Sequence, residues 1–246
     1  MKFEQIIDKL RDDSHYYGEF GRQFLSNSDV GRLLTNPEQF GIPEEDSKVL
    51  AEGRFFHQCL LEPKKAADTP FVDASNRNTK IYKDFIEANG IPFVLLKNEL
   101  DAIQWVVSRM RGNVTFYDEI YKEGNLFEEP MIGEIGGLVW KGKADIVCSD
   151  CLIDLKTTSD ILAFKYSARK YNYDSQCYIY QQLFNKPLHF YVVDKSTGQL
   201  GIFRPTEKFV ENGGYKVQRA IEIFRKYFGD NPTDDIINYY IDEILD

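Results

Sequence analysis

The chain has 246 residues, enough for one large domain or two small ones with a real core, and its 43% hydrophobic and 28% charged residues are the balance of a soluble globular protein. No apolar run nears the roughly 18 residues of a membrane span, and Met1-Lys2-Phe3-Glu4 begins no apolar signal region. The four scattered cysteines (Cys59, Cys148, Cys151 and Cys177) argue against a disulfide framework, so a cytoplasmic protein is expected. The net charge of −9 argues against nucleic-acid binding through bulk charge, though not against a local basic groove, and it suits a chain whose acids include metal ligands.

Phe3, Ile6, Ile7 and Leu10 recur at helical spacing within residues 1–13, and residues 14–27 are mixed and aromatic. Ser28 caps a predicted short helix through Leu34 that ends near Asn36-Pro37. A longer helix is predicted from Ser47 to Glu62, stopped by Pro63, followed by a loop over residues 64–78. Tyr82, Phe85 and Ile86 mark a helix ending at Asn89-Gly90. Leu100, Ile103, Val106, Val107 and Met110 make an amphipathic helix ending at Gly112, and a short helix covers 114–122. Leu126–Ile135, Leu138–Cys148 and Cys151–Thr157 read as an antiparallel meander. Ser159–Tyr171 and Asp174–Leu183 read as helices. His189–Val193 and Leu200–Arg204 read as strands, and residues from Glu207 to about Phe228 as a helix. The acidic segment 233–246 is expected to form a last amphipathic helix or a partner-binding tail. The pattern predicts one α/β domain over 1–246, with an N-terminal helical extension (1–45), a core (46–228) and an acidic C-terminal helix or tail (229–246).

The charges that matter lie in the meander. If Ser149-Asp150 is the turn, Cys148 faces Cys151, paired positions sum to 299, and Asp145 lies opposite Asp154. Side chains alternate along a strand, so Asp154 and Lys156 share a face while Ile153 and Leu155 point into a core. Like charges directly across a strand pair repel, and a divalent cation would offset the repulsion. If Gly136-Gly137 is also a two-residue turn, pairs sum to 273 and Glu128 faces Asp145. A bulge at Gly142 would bring Glu129 there instead, and Glu128 is slightly favoured. His57, in a helix that otherwise reads as buried, is a candidate ligand. Gln176 and Tyr180, four apart on one helix face, offer polar tips for a phosphate or a water. Each piece alone has a plainer reading as a solvated turn or a structural side chain. Cys148-x-x-Cys151 is half a zinc site, but no second Cys or His pair of matching spacing exists.

Gly53-x-x-x-His57, Gly142-x-x-Asp145, Asp154-x-Lys156 and Gln176-x-x-x-Tyr180, in that order, resemble the motif series of RecB-like nucleases in the PD-(D/E)XK superfamily, and most of all RecE-type exonucleases of phages and prophages. The likeness covers roughly residues 24–205 and includes Asp154-Leu155-Lys156-Thr157-Thr158-Ser159-Asp160-Ile161. Asp154 stands where many superfamily members carry Glu, and the cysteines do not match the iron–sulfur relatives, so no cluster is expected. The resemblance implies a central mixed sheet flanked by helices and Mg²⁺-dependent cleavage (Mn²⁺ substituting) of DNA from duplex ends, 5′ to 3′, in phage-type recombination. Asp145, Asp154, Lys156, Gln176 and Tyr180 become the catalytic set by this likeness. The likeness carries metal binding to His57, Asp145 and Asp154; the register adds Glu128, and the Leu155 carbonyl would help fill an octahedral shell. Lys165, Arg169 and Lys170 become candidate DNA contacts. A homo-oligomeric ring around DNA and a single-strand annealing partner follow by the same likeness. A nicking endonuclease and a non-catalytic DNA-binding scaffold of this fold are the alternatives.

Overall fold

The computed structural model describes residues 2–242. In chain order its elements are α1 (Phe3–Leu10), α2 (Asp13–Tyr17), α3 (Asn27–Thr35), α4 (Lys48–Leu61), α5 (Pro63–Ala67), β1 (Phe71–Val72), α6 (Lys80–Asn89), β2 (Leu95–Leu96), α7 (Lys97–Arg111) and α8 (Val114–Ile120). The sheet and its covering helices follow: β3 (Leu126–Ile135), β4 (Leu138–Val147), β5 (Leu152–Thr158), α9 (Phe164–Lys170), α10 (Tyr173–Phe184), β6 (Leu188–Asp194), β7 (Leu200–Phe203) and α11 (Glu207–Tyr227).

The five long strands form one mixed sheet in the order β3-β4-β5-β6-β7. β3, β4 and β5 are the antiparallel meander, β6 runs parallel to β5, and β7 returns antiparallel. The parallel step needs a crossover, and α9 and α10 supply it. Registers follow the turns. Gly136 and Gly137 both have positive φ (59° and 71°), as a two-residue hairpin turn of this hand demands, and β3–β4 partners sum to 273. β4–β5 partners sum to 299, from Val147↔Leu152 to Ile146↔Ile153.

Strand alternation sorts the core into two layers. Leu152, Phe190 and Val192 face a cluster with Ile179 of α10, Val217 and Ile221 of α11 and Val30 and Leu33 of α3. Ile153, Leu155, Tyr191 and Val193 face the other, with Phe55 and Leu60 of α4 and Ile103, Val106 and Met110 of α7. The sheet is thus covered on both sides, as the predicted fold class requires. No helix among the described residues is long and apolar enough to cross a membrane.

Four details depart from the predicted elements. Ser26, not Ser28, begins α3: its N–H and hydroxyl both bond the Asp29 carboxylate, three residues on, in a capping box. Pro63 opens a second helix, at the position where a missing N–H costs nothing, and Phe71–Val72 pairs in parallel with Leu95–Leu96, so residues 64–78 are not all loop. α9 starts at Phe164 and not Ser159, because the Asp160 carboxylate takes the Leu162 and Ala163 N–H groups in a local turn. The tail shows no amphipathic helix over its described part, only a three-residue 3₁₀ turn at Ile236–Asn238. Ile237, Tyr240 and Ile241 stay exposed there with no facing surface to bury them, and residues 243–246 lie outside the described residues.

Candidate active site

Three elements converge where the β4–β5 ladder stops. Beyond Ile146↔Ile153 the strands part, and Leu155 N–H donates to Asp145 Oδ2 (2.7 Å) instead of to a β4 carbonyl. The β3–β4 ladder is interrupted at the same level: Phe127 and Glu129 are paired, whereas Glu128 between them is not and has φ 51°. Left-handed backbone at a non-glycine residue costs free energy, so it persists only where surroundings enforce it. Here it turns the Glu128 carboxylate toward α4.

From α4, His57 reaches into the gap. Its Nε2 lies 3.0 Å from the Leu155 carbonyl oxygen, and Nδ1 lies 3.2 Å from Asp145 Oδ1 and 3.9 Å from Glu128 Oε1. Burial opposes charge on the imidazole, but Asp145 and Glu128 overcome it and raise its pKa to about 10. Burial likewise penalises the Asp145 carboxylate, yet His57, Lys156 and the Leu155 N–H leave it below its ordinary value. The Glu128 carboxyl is raised, by burial first, with His57 opposing.

Asp154 sits one step along β5 and is only 3% exposed. Gln176 Nε2 of α10 donates to its Oδ1 at 2.6 Å. The Lys156 ammonium stands 2.5 Å from its Oδ2, out of line for a hydrogen bond, so this buried oxygen has no aligned donor among the described residues. Burial raises the Asp154 pKa, Lys156 pulls it back, and the nearby Asp145 charge adds to the rise. Burial also opposes charge on Lys156, but Asp154, Tyr173 and Asp145 outweigh it and raise its pKa, so it stays an ammonium. The ammonium also lies over the Tyr173 ring, 5.0 Å from the centroid.

The structure therefore brings His57, Glu128 and Asp145 together, with one ligand atom from each within 4.8 Å of the others. Asp154, Lys156 and Gln176 form an adjoining group. Tyr180 is placed elsewhere: its hydroxyl accepts from the Lys143 N–H (3.3 Å) and donates to the Lys143 carbonyl (2.9 Å), clamping β4 to α10. The Lys143 backbone groups face the edge of β4 away from β3, where Leu25 serves Val139 and Lys141 and β5 has parted from the strand, so Tyr180 supplies their partner. Gly142 is needed beside it, because a Cβ there would stand 3.0 Å from the Tyr180 ring. Glu129 is turned away from the cluster, to Arg11 Nη2 at 2.5 Å. Lys165, Arg169 and Lys170 lie on the exposed face of α9, outside the acidic group. Cys148 and Cys151 flank the hairpin turn as buried free thiols, with Cys148 pushed up to about 12 by burial.

Sequence reasoning overlooked the wall built by the N-terminal helices. Arg11 holds Glu129, and Asp13 bridges Lys143 (2.5 Å) and Lys65 (2.6 Å). These pairs span up to 130 residues and leave no local signature; only the helical run of Phe3 to Leu10 announces that something packs there.

The donor set fits a hard divalent cation. Two carboxylates and the His57 Nδ1 come together, a set that can hold such an ion once the imidazole gives up its proton, and the Asp154 carboxylate, held by Gln176 and Lys156, adjoins them. A mixed sheet flanked by helices, with an Asp-x-Lys strand parting from its neighbour beside such a group, is the arrangement of a PD-(D/E)XK-like domain. The sequence matches the family described as a PDDEXK-like domain of unknown function (DUF3799) over residues 34–226, and the chain belongs to that family. Among solved structures, a "putative exonuclease" from Eubacterium rectale is 17% identical, covering 96% of this chain and 95% of that one, with a TM-score of 0.62, which shows a shared fold. A protein designated SSO0001 is 14% identical over 93% of this chain and 87% of that one, with a TM-score of 0.39. A comparison with curated proteins returns no match.

Proposed function

We propose that the chain is a Mg²⁺-dependent DNA exonuclease that hydrolyses phosphodiester bonds from the ends of linear duplex, in the 5′-to-3′ direction, in phage-type recombination. The observation that carries this reading is the meeting of His57, Glu128 and Asp145 beside Asp154 and Lys156 at the break in the sheet. His57, Glu128, Asp145, Asp154 and the Leu155 carbonyl are the residues that would hold the ion. A divalent cation in such a site stabilises charge on the phosphate and lowers the pKa of its water.

The chain's own residues do the rest. Lys156 remains protonated beside two carboxylates, so its part is to orient the attacking water and offset phosphate charge rather than to accept a proton. Gln176 fixes the rotamer of Asp154, and Tyr180 fixes the course of β4 through Lys143. Both are positioning residues.

Digestion of end-labelled linear duplex in Mg²⁺, beside a closed circle of the same sequence, tests the reading. Loss of the linear substrate from its 5′ ends with the circle intact supports it, and efficient nicking of the circle refutes the exonuclease. Lys156→Ala and Asp154→Asn should each abolish hydrolysis while preserving the thermal transition. Undiminished hydrolysis by either purified variant refutes the site.

A further inference from the structure

Beyond the acidic group, α9, the end of β7 and the first turn of α11 enclose a cleft of about 260 Å³. Four cations line it: Lys165 and Arg169 from α9, Arg204 just past β7, and Lys208 of α11. No carboxylate lines it. All four cations are exposed, and none is in a salt bridge among the described residues. What sets the cleft apart is that four cations share one aromatic-floored concavity with no carboxylate among its lining residues. The floor is aromatic, and Phe203 and Phe209 remain partly accessible.

Rings connect this cleft to the proposed catalytic lysine. The Lys156 ammonium lies over Tyr173, and Tyr173 stacks on Phe190 with centroids 5.3 Å apart. Phe164 lies 6.0 Å from Phe190 and 4.5 Å from Phe203 at the cleft itself. Unpaired cations above an accessible aromatic floor suit a ligand with phosphates on one side and a flat apolar face on the other, which is a nucleotide within an unpaired strand. A duplex keeps its bases stacked inside and presents phosphates alone. We infer that this cleft binds single-stranded DNA next to the reaction centre, with phosphates on Arg169, Arg204 and Lys208 and a base against Phe203 and Phe209. The inference deepens the nuclease reading and rests on it for the identity of the strand.

The test is fluorescence anisotropy of a labelled 12-nucleotide oligothymidylate in EDTA, with full-length protein, across a salt series. Arg204→Ala/Lys208→Ala removes two exposed cations and should leave the thermal transition unchanged. It should weaken binding at least tenfold and lower the salt slope by about 1.4, since each phosphate contact on a single strand contributes about 0.7. Phe209→Ala should weaken binding by roughly 5- to 150-fold, as loss of one stacked base does, with the salt slope unchanged. Wild-type affinity and slope in the double variant would overturn the inference. So would an equal loss for blunt duplex and oligothymidylate, or a loss confined to phosphatidylglycerol vesicles. The two readings fail separately. A wild type that binds oligothymidylate through the cleft yet never cleaves linear duplex in Mg²⁺ sinks the nuclease alone. A double variant that binds as wild type while wild type cleaves sinks the cleft alone.

Discussion

Tyr180→Phe separates a structural role from a chemical one. The substitution keeps the ring and removes a hydroxyl that serves both backbone groups of Lys143, in the middle of β4. Tyr180 is 9% exposed, so water does not readily replace it, and β5 pairs with β4 only at Ile146 and Val147, so no strand serves Lys143 on that edge. The 3.3 Å contact is weak, and the 2.9 Å bond to the carbonyl dominates. Orphaning one buried polar group costs about 1–3 kcal/mol, which puts the loss near 2 kcal/mol. In a chain of this length each kcal/mol moves Tm by about 2–4 °C, so a fall of roughly 4–8 °C is expected. Hydrolysis of linear duplex well below the transition should stay within about tenfold of wild type, because the hydroxyl touches β4 and not the reacting atoms. Circular dichroism melting and a single-turnover nuclease assay measure both. An unchanged Tm with activity lost by about a thousandfold would place the hydroxyl in the chemistry and refute the clamp.

Gln176→Ala removes one of the two groups that hold the Asp154 carboxylate, leaving Lys156 alone, and should weaken the apparent Mg²⁺ affinity by about 10- to 100-fold with little change in Tm; an unaltered Mg²⁺ half-saturation would count against it. Gly213→Ala forces a Cβ to 2.0 Å from the Asp174 carbonyl oxygen, where α11 crosses α10, and should destabilise by about 3 kcal/mol or more in urea titration. Glu99 is a pH-dependent brace. Burial would raise its carboxyl, but Arg77, the Leu96 N–H and Lys48 hold it down to about 2. A depressed folded-state pKa gives stability that is full above the unfolded value and is lost as pH falls toward 2, on the order of 2–3 kcal/mol. Glu99→Gln should therefore flatten the acid limb of a urea-midpoint series between about pH 5 and pH 2, and an unchanged limb would refute the brace.

The strands and their registers were readable because the meander's turns are short and its apolar residues alternate. The 299 and 273 sums needed only Ser149-Asp150 and Gly136-Gly137. α4 and α7 were readable from a 3.6-residue period over three or more turns. What escaped was either too short or too distant. Two-residue strands such as Phe71–Val72 show no alternation, and their partner at Leu95–Leu96 lies beyond a whole helix. The choice between Glu128 and Glu129 turned on a left-handed φ and on Arg11, neither visible locally. Tyr180 and Gln176 share a helix face as expected, but which strand atoms each meets depends on how α10 lies across β4 and β5. The helix alternative for the tail is absent from its described part: Tyr239 packs on Tyr227, but Ile237, Tyr240 and Ile241 stay exposed, and that little apolar burial does not hold a helix.

Leu155 stands between Asp154 and Lys156, and its main chain ties β5 to two other parts of the site: the N–H holds Asp145 and the carbonyl meets His57. Its side chain is fully buried on the opposite face of the sheet. These two functions are carried by atoms every residue but proline possesses. The position can therefore drift among apolar residues of similar volume, at a cost usually under about 1.5 kcal/mol, with the geometry of the centre inherited unchanged. Such a lineage keeps its chemistry in a place where the letters of its sequence record nothing.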